Sequence, residues 1–245
     1  MVLALAVLAS SLGVTQARAL EPHFLHDNLF PGHPPAQDQD RPLPVARYVS
    51  DEGDSFIFDR SQPQPLLKFD DSGEVWALRA HPAPRGDVIY VNDLDQPVLR
   101  ATRLGGLTLF TNERPGGTAA AQAGSVGSLR IVAMGPQQLL ERLAQASART
   151  SRAARRLIAF EADASPASAT LTADAAMIAS EALIRLARTP DSRALLARVL
   201  RVHLSEGQKS RARLQQGTIE ITVAPSEGFA GRPSSDRIIA VAGGR

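Results

Sequence analysis

The sequence predicts an α+β fold: an antiparallel β-sheet of seven or more strands, a layer of three Ala/Leu/Arg-rich helices, and a C-terminal β-hairpin returning to the sheet. Three observations carry this. From Tyr48 to Thr118 apolar residues alternate through short runs that restart after clusters of Asp, Asn, Gly and Pro, as half-buried strands do. From Pro136 to Gly207 the apolar spacing changes to three and four, as on one face of a helix. Near the C-terminus Ile219, Ile221 and Val223 alternate with Thr218, Glu220 and Thr222, which restores the strand period.

The chain opens with the apolar run Val2–Val14, followed by Ala17-Arg18-Ala19. The run is too short to span a bilayer, and the small residues match what a signal peptidase reads, so 1–19 is read as a secretory signal peptide. No transmembrane helix is expected once it is removed. Residues 20–47 are rich in Pro, Asp, Gln and His without an apolar period and read as a flexible leader. His23, His26 and His33 fall inside it. Closing a disordered segment around a metal costs conformational entropy, so they are read as solvated.

A single α+β domain is expected over 48–245. In its β-rich part, 48–134, SFIFDR, PLLKFD, EVWALRA, DVIYVND, PVLRATR and LTLFTN read as strands. Phe56 and Phe58 share one face; Trp76, Leu78 and Ala80 share another; Val88 and Tyr90, or Ile89 and Val91, face the same interior. Asp70-Asp71-Ser72-Gly73 is a turn, since Asp and Ser can bond their own backbone and Gly accepts positive φ. Thr111–Ser128 has no large apolar residue apart from Val126 and reads as a long connector, with Ser128–Met134 as one more strand.

The helical part, 135–207, starts at Gly135-Pro136. Leu139, Leu143, Ala146, Thr150, Ala153 and Leu157 form a stripe continuing to about Ala162. A second helix starts after Thr172 and runs to Arg188. A third is announced by Thr189-Pro190-Asp191, a cap followed by Pro at the first helical position, and carries Leu195 to Val202. The terminal part, 216–245, supplies the strands GTIEITVAP and DRIIAVAGG, which need a sheet to join because a lone hairpin is marginal in water.

Composition narrows function mostly by exclusion. The chain has no Cys, which removes disulfides, thiolate metal sites and a Cys nucleophile. Apart from Phe160 and Phe229, every aromatic residue lies at or before Phe110, so the two halves must have different cores. Residues 1–135 carry 11 Lys and Arg against 15 Asp and Glu, whereas 136–215 carry 13 against 7, so the helices are basic and the strands acidic.

No Ser-His-Asp order, His-Glu-x-x-His, phosphate loop or carboxylate pair at helical spacing is visible. Gly53-Asp54-Ser55 has the letters of a hydrolase triplet, but acidic residues precede it and no His follows His203. Asp71-Ser72-Gly73 has those of an aspartic-protease loop, which needs a second carboxylate facing the first. Two candidate sites remain. Arg114, Gly116 and Gly117 form a candidate anion-binding loop, because consecutive Gly leave backbone N–H groups able to converge beside a guanidinium. Arg149, Arg152 and Arg156 fall on one helical face and form a candidate basic surface.

The runs YVSDEGDSFIFDRS, LLKFDDSGEVWALRA, RGDVIYVND and LRATRLGGLTLFTNERPGGTAA, placed between a signal peptide and an Ala/Arg-rich helical region, resemble a bacterial secreted family, domain of unknown function 4908. The resemblance implies a periplasmic or secreted protein and brings no activity or site residue with it. The expectation is an exported, non-catalytic envelope protein that binds or scaffolds an anionic partner, such as a lipid headgroup or polysaccharide of the envelope, or another protein. No cofactor, metal or nucleic acid is expected. The alternative is a hydrolase using Asp70, Asp71 and the Arg114–Gly117 loop.

Overall fold

Short, alternating runs leave the first half little choice but a sheet, and the sheet they form curls on itself. A computed structural model describes residues 44–244. The predicted signal peptide, its His-containing leader and all but the last four residues of 20–47 lie outside them. Strands β1 (Val45–Ser50), β2 (Ser55–Asp59), β3 (Leu66–Phe69), β4 (Trp76–Ala77), β5 (Arg79–Pro82), β6 (Val88–Val91), β7 (Pro97–Ala101), β8 (Leu107–Leu109) and β9 (Thr118–Ser125) lie in the order β4-β3-β2-β1-β9-β8-β7-β6-β5, every neighbour antiparallel.

The two outermost strands, β4 and β5, are separated only by Leu78. One extended stretch therefore pairs with β3 through its first half and with β6 through its second, and the sheet must bend round to meet itself there. Ring contacts across the interior agree: Phe58 of β2 lies edge-on to Tyr90 of β6 at 4.9 Å, although five steps of the strand order separate the two strands. The result is a barrel whose interior is filled by Tyr48, Phe56, Phe58, Leu67, Leu78, Tyr90, Leu99 and Leu109. Each large side chain so buried contributes about 1.5–3 kcal/mol. Of the two interior pairs open for β6, Val88 and Tyr90 pack in this core. Ala80 is exposed rather than buried beside Leu78, because the stretch leaves the interior after Leu78.

Three expectations for this half change. Val45, Ala46 and Arg47 belong to β1, opposite Asp59, Phe58 and Ile57, and not to the leader. The stretch expected to be a connector contains β9, which sits between β1 and β8. Its turn explains the glycine before it: Gly117 has φ +83°, and a Cβ there would come within 2.5 Å of Thr108 Cγ2. Ser128–Met134 is not a strand, because β9 already occupies the ladders of β1 and β8. Instead the Leu129 N–H donates to the buried Asp59 carboxylate at 2.8 Å, and Ile131 and Met134 pack on the second core.

That second core belongs to a separate four-stranded sheet, β10 (Ala159–Asp163), β11 (Arg201–Glu206), β12 (Arg211–Gln215) and β13 (Thr218–Val223), in the order β10-β11-β13-β12. β10, β11 and β13 are parallel; β12 is the antiparallel edge. The expectation that the C-terminal strands return to the first sheet is thus corrected: β13 pairs with β11 and β12. DRIIAVAGG is not a strand but helix α4 (Ser235–Ala242), capped by Ser234, which accepts from the Arg237 N–H.

Helices α1 (Pro136–Ala154), α2 (Ala169–Ala187) and α3 (Pro190–Ala197) pack with this second sheet rather than across the first. The barrel buries its apolar face inside itself and offers helices nothing to cover, whereas Phe160, Val202, Leu204, Ile219 and Ile221 present one apolar face. Two of the three predicted helix starts hold: Pro136 follows Gly135, and Thr189 accepts from Ser192 N–H at 3.3 Å, whereas α2 begins at Ala169, ahead of Thr172. The polar member of the α1 stripe, Thr150, is buried because its hydroxyl donates to Ser180 on α2 at 3.0 Å. α1 stops earlier than its stripe suggests, at Arg155 with φ 56°, and the chain turns into β10. Residues expected to extend the third helix form β11. Pro42–Arg245 forms one compact unit, and among the described residues no helix is long and apolar enough to cross a membrane.

Candidate functional site

The barrel and the α/β layer meet through charge. Glu74, in the turn between β3 and β4, is 5% exposed, and Arg232, just before α4, has a side chain only 2% exposed. The Arg232 guanidinium donates to Asp174 on α2 and to the Val75 carbonyl at 2.9 Å, and lies 3.8 Å from Glu74. Glu74 also accepts from the Ser235 N–H at 2.9 Å and from its hydroxyl at 2.5 Å. Next to it Asp93, in the turn between β6 and β7, accepts from the Ser234 N–H at 2.9 Å and hydroxyl at 2.7 Å. Two carboxylates from barrel turns thus sit at the positive N-terminal end of α4, where unpaired N–H groups favour negative charge. Burial pushes the Glu74 carboxyl above its ordinary value, while Arg232 and the Ser235 bonds pull it down.

Backbone geometry aims Arg232 into this clasp. A Cβ on Gly231 would sit 1.9 Å from the Ala224 carbonyl oxygen, so only glycine allows the chain to pass there.

Two clefts flank the clasp. The first, about 1040 Å³, opens at the barrel seam and is lined by Trp76, Leu78, Arg79 and Ala80 on one side and by Arg211, Phe229, Arg232 and Arg237 on the other. The second, about 980 Å³, is lined by Asp71, Glu74, Thr111 and Pro115 from the barrel and by Arg149, Glu181, Arg185 and Arg188 from the helices. Trp76 and Asn92 line both.

The guanidiniums of the two clefts differ in what already holds them. In the second, Arg149 and Arg188 pair with Glu181, and Arg185 with Asp236. In the first, Arg79 is tied to Asp95 at 2.6 Å and Arg237 to Asp93, but both side chains stay 40% exposed or more. Arg211 is exposed with no ion-pair partner among the described residues.

A family model described as Domain of unknown function (DUF4908) matches residues 25–242. The chain belongs to this family. No curated protein and no solved structure matches it. The DUF4908 match spans the clasp and every residue lining the two clefts.

Within this DUF4908 domain the sequence-predicted residues are distributed as follows. Arg114 pairs with Glu52 at 3.2 Å, and the Gly117 N–H donates to the Arg114 carbonyl at 3.0 Å. One of the two backbone donors expected to face an anion, that of Gly117, is thus used within the turn. The three arginines of the helical face go separate ways. Arg149 enters the second cleft, and Arg156 donates to the carbonyls of Leu196 and Val199 at the end of α3. Arg152 is exposed without an ion-pair partner among the described residues. Asp70 accepts from the Ser55 hydroxyl at 2.6 Å and pairs with Arg47, whereas Asp71 lines the second cleft. His203 lies 3.0 Å from Asp163 on the open face of the small sheet. Among the described residues no group of three or more His, Cys, Asp or Glu is placed to hold a metal ion.

Sequence reasoning missed Glu74, Asp93, Arg232 and Arg237. Ser234 and Ser235 followed by Asp236 carry a helix-start signal that could have revealed α4 and, with it, the cation just before it.

Proposed function

We propose that this is an exported, non-catalytic envelope protein that holds an anionic partner in the seam cleft. One observation carries the reading: three partly exposed guanidiniums, Arg79, Arg211 and Arg237, line a single cleft together with the rings of Trp76 and Phe229. Arginine binds carboxylate and phosphate through paired N–H donors, and flanking rings supply apolar contact and exclude water. Export rests on the leader reading, and N-terminal sequencing of envelope-fraction protein should start at Leu20.

Trp76 is the chain's single Trp and lines the cleft, so its fluorescence reports occupancy without a label. Titration with polyglutamate, inorganic phosphate and phosphatidylglycerol vesicles should show saturable change with at least one probe. Arg211→Ala should weaken that binding about tenfold or more, since a charge-assisted bond contributes about 1.5–3 kcal/mol. An Arg211→Ala affinity equal to wild type, or no response to any anion, overturns the reading.

The hydrolase alternative is favoured by one feature: Asp71 and Pro115, from the two turns it invokes, line the second cleft. An activity abolished by Asp71→Asn and untouched by Arg211→Ala would establish it instead.

A further inference from the structure

The anion-binding reading above leaves the shape of the ligand open, and the walls of the seam cleft constrain it. Both walls are margins of sheets. On one side, among the described residues, β4 has β3 as its only strand neighbour and β5 has β6 as its only one, so neither pairs with a described strand along its other edge. All four residues of β5 are exposed. On the other side, β12 is the outermost strand of the small sheet, and its first residues, Arg211 and Ala212, line the cleft. A sheet margin carries N–H and C=O groups that seek another strand, and its usual protections are shortness, proline and charge. β4 has two residues, β5 ends at Pro82, and both margins carry arginine, so pairing along their full length is disfavoured and only a short stretch is left for a partner strand.

We infer that the seam cleft takes an extended acidic peptide, which adds as a strand along one of these margins. Main-chain hydrogen bonds supply affinity, and pockets for alternate side chains supply selectivity. In an added strand, side chains on one face recur about every 6.6–6.8 Å. Arg79 and Arg211 sit on the margins themselves, positioned for carboxylates of such a strand, and Trp76 and Phe229 receive an apolar side chain between them. A lipid headgroup or free phosphate would use the guanidiniums but leave the strand margins unpaired.

The test sets six probes against the whole protein, read by Trp76 fluorescence: a blocked nonapeptide alternating Glu with Val and Thr, the same peptide N-methylated at odd positions, the same at even positions, its Glu→Lys counterpart, inorganic phosphate, and phosphatidylglycerol vesicles. The expected result is saturable binding of the acidic peptide, a tenfold or greater loss on N-methylation in one of the two registers, and no binding of the Lys peptide. Arg211→Ala should weaken the acidic peptide about tenfold, with an unchanged thermal midpoint showing that the fold is intact. Equal binding of both N-methylated forms, or binding of vesicles or phosphate without the peptide, overturns strand addition while leaving anion binding in place. Silence toward every anion overturns both.

Discussion

The barrel and the α/β layer bury apolar surface in opposite ways. The barrel, with eight strand positions once β4 and β5 are taken as one stretch, has an interior wide enough to need large side chains. Its core is accordingly built on Tyr48, Phe56, Phe58, Phe69, Trp76 and Tyr90, with rings in stacked and edge contact. In the second core Ala169, Ala173, Ala176, Ala179 and Ala182 of α2 are buried, small enough for helices and sheet to approach closely, and Phe160 is the one aromatic among the described residues buried there. The uneven distribution of aromatics along the sequence thus marks a change of architecture. The join between these unlike cores is polar.

If the clasp makes the two cores cooperate, its loss should change the unfolding behaviour most, by separating the two signals. Arg232→Ala leaves Glu74 and Asp174 facing each other without their shared cation, and breaking a buried pair in this way costs about 3–5 kcal/mol. Urea unfolding followed by Trp76 fluorescence for the barrel and far-UV circular dichroism for the helices should give coincident curves for the wild type. For Arg232→Ala they should separate. Curves that already separate in the wild type would show that the lobes unfold independently.

Matched cavities sharpen the same comparison. Phe58→Ala in the barrel should cost about 3–5 kcal/mol and Leu183→Ala in α2 about 2–5 kcal/mol, both residues being fully buried. With the clasp intact, each should move both optical signals together; a change confined to the mutated side would contradict coupling.

The smallest effect is a dependence on pH. Because the folded Glu74 carboxyl is raised above its ordinary value of 4.5, its contribution to stability is full below that value and is lost as pH rises through the folded one. Glu74→Gln cannot ionise, so its stability relative to the wild type should improve with rising pH across that window. A difference independent of pH would show that Glu74 titrates as it does in the unfolded chain.

Much of the barrel was legible because its strands alternate and their turns are spelled in Asp, Asn and Gly. β9 was not, since TAAAQAGS has no large apolar residue, and its place is set by the ladders of β1 and β8 on either side. β10 and β11 were absorbed into neighbouring helices, because Phe160 and Ala162, or Val202 and Leu204, satisfy either period over so few residues. In α4 the run Ile238, Ile239 and Val241 imitates a strand, and the cap at Ser234 outweighs it. The candidate loop at Arg114 lies in the turn between β8 and β9, and its Glu52 partner is 62 residues away, beyond the reach of a local pattern. The clasp was beyond any local pattern: Glu74 and Ser235 are 161 positions apart.

That separation has a consequence in time. Asp93 and Glu74 find their serine donors 141 and 161 residues further along the chain. At about 5–20 residues per second, a ribosome takes roughly 7–30 s to make that intervening length. Throughout that interval both acids stay hydrated on a newly made first lobe, and the lobe is fastened only when the tail of the polypeptide has emerged.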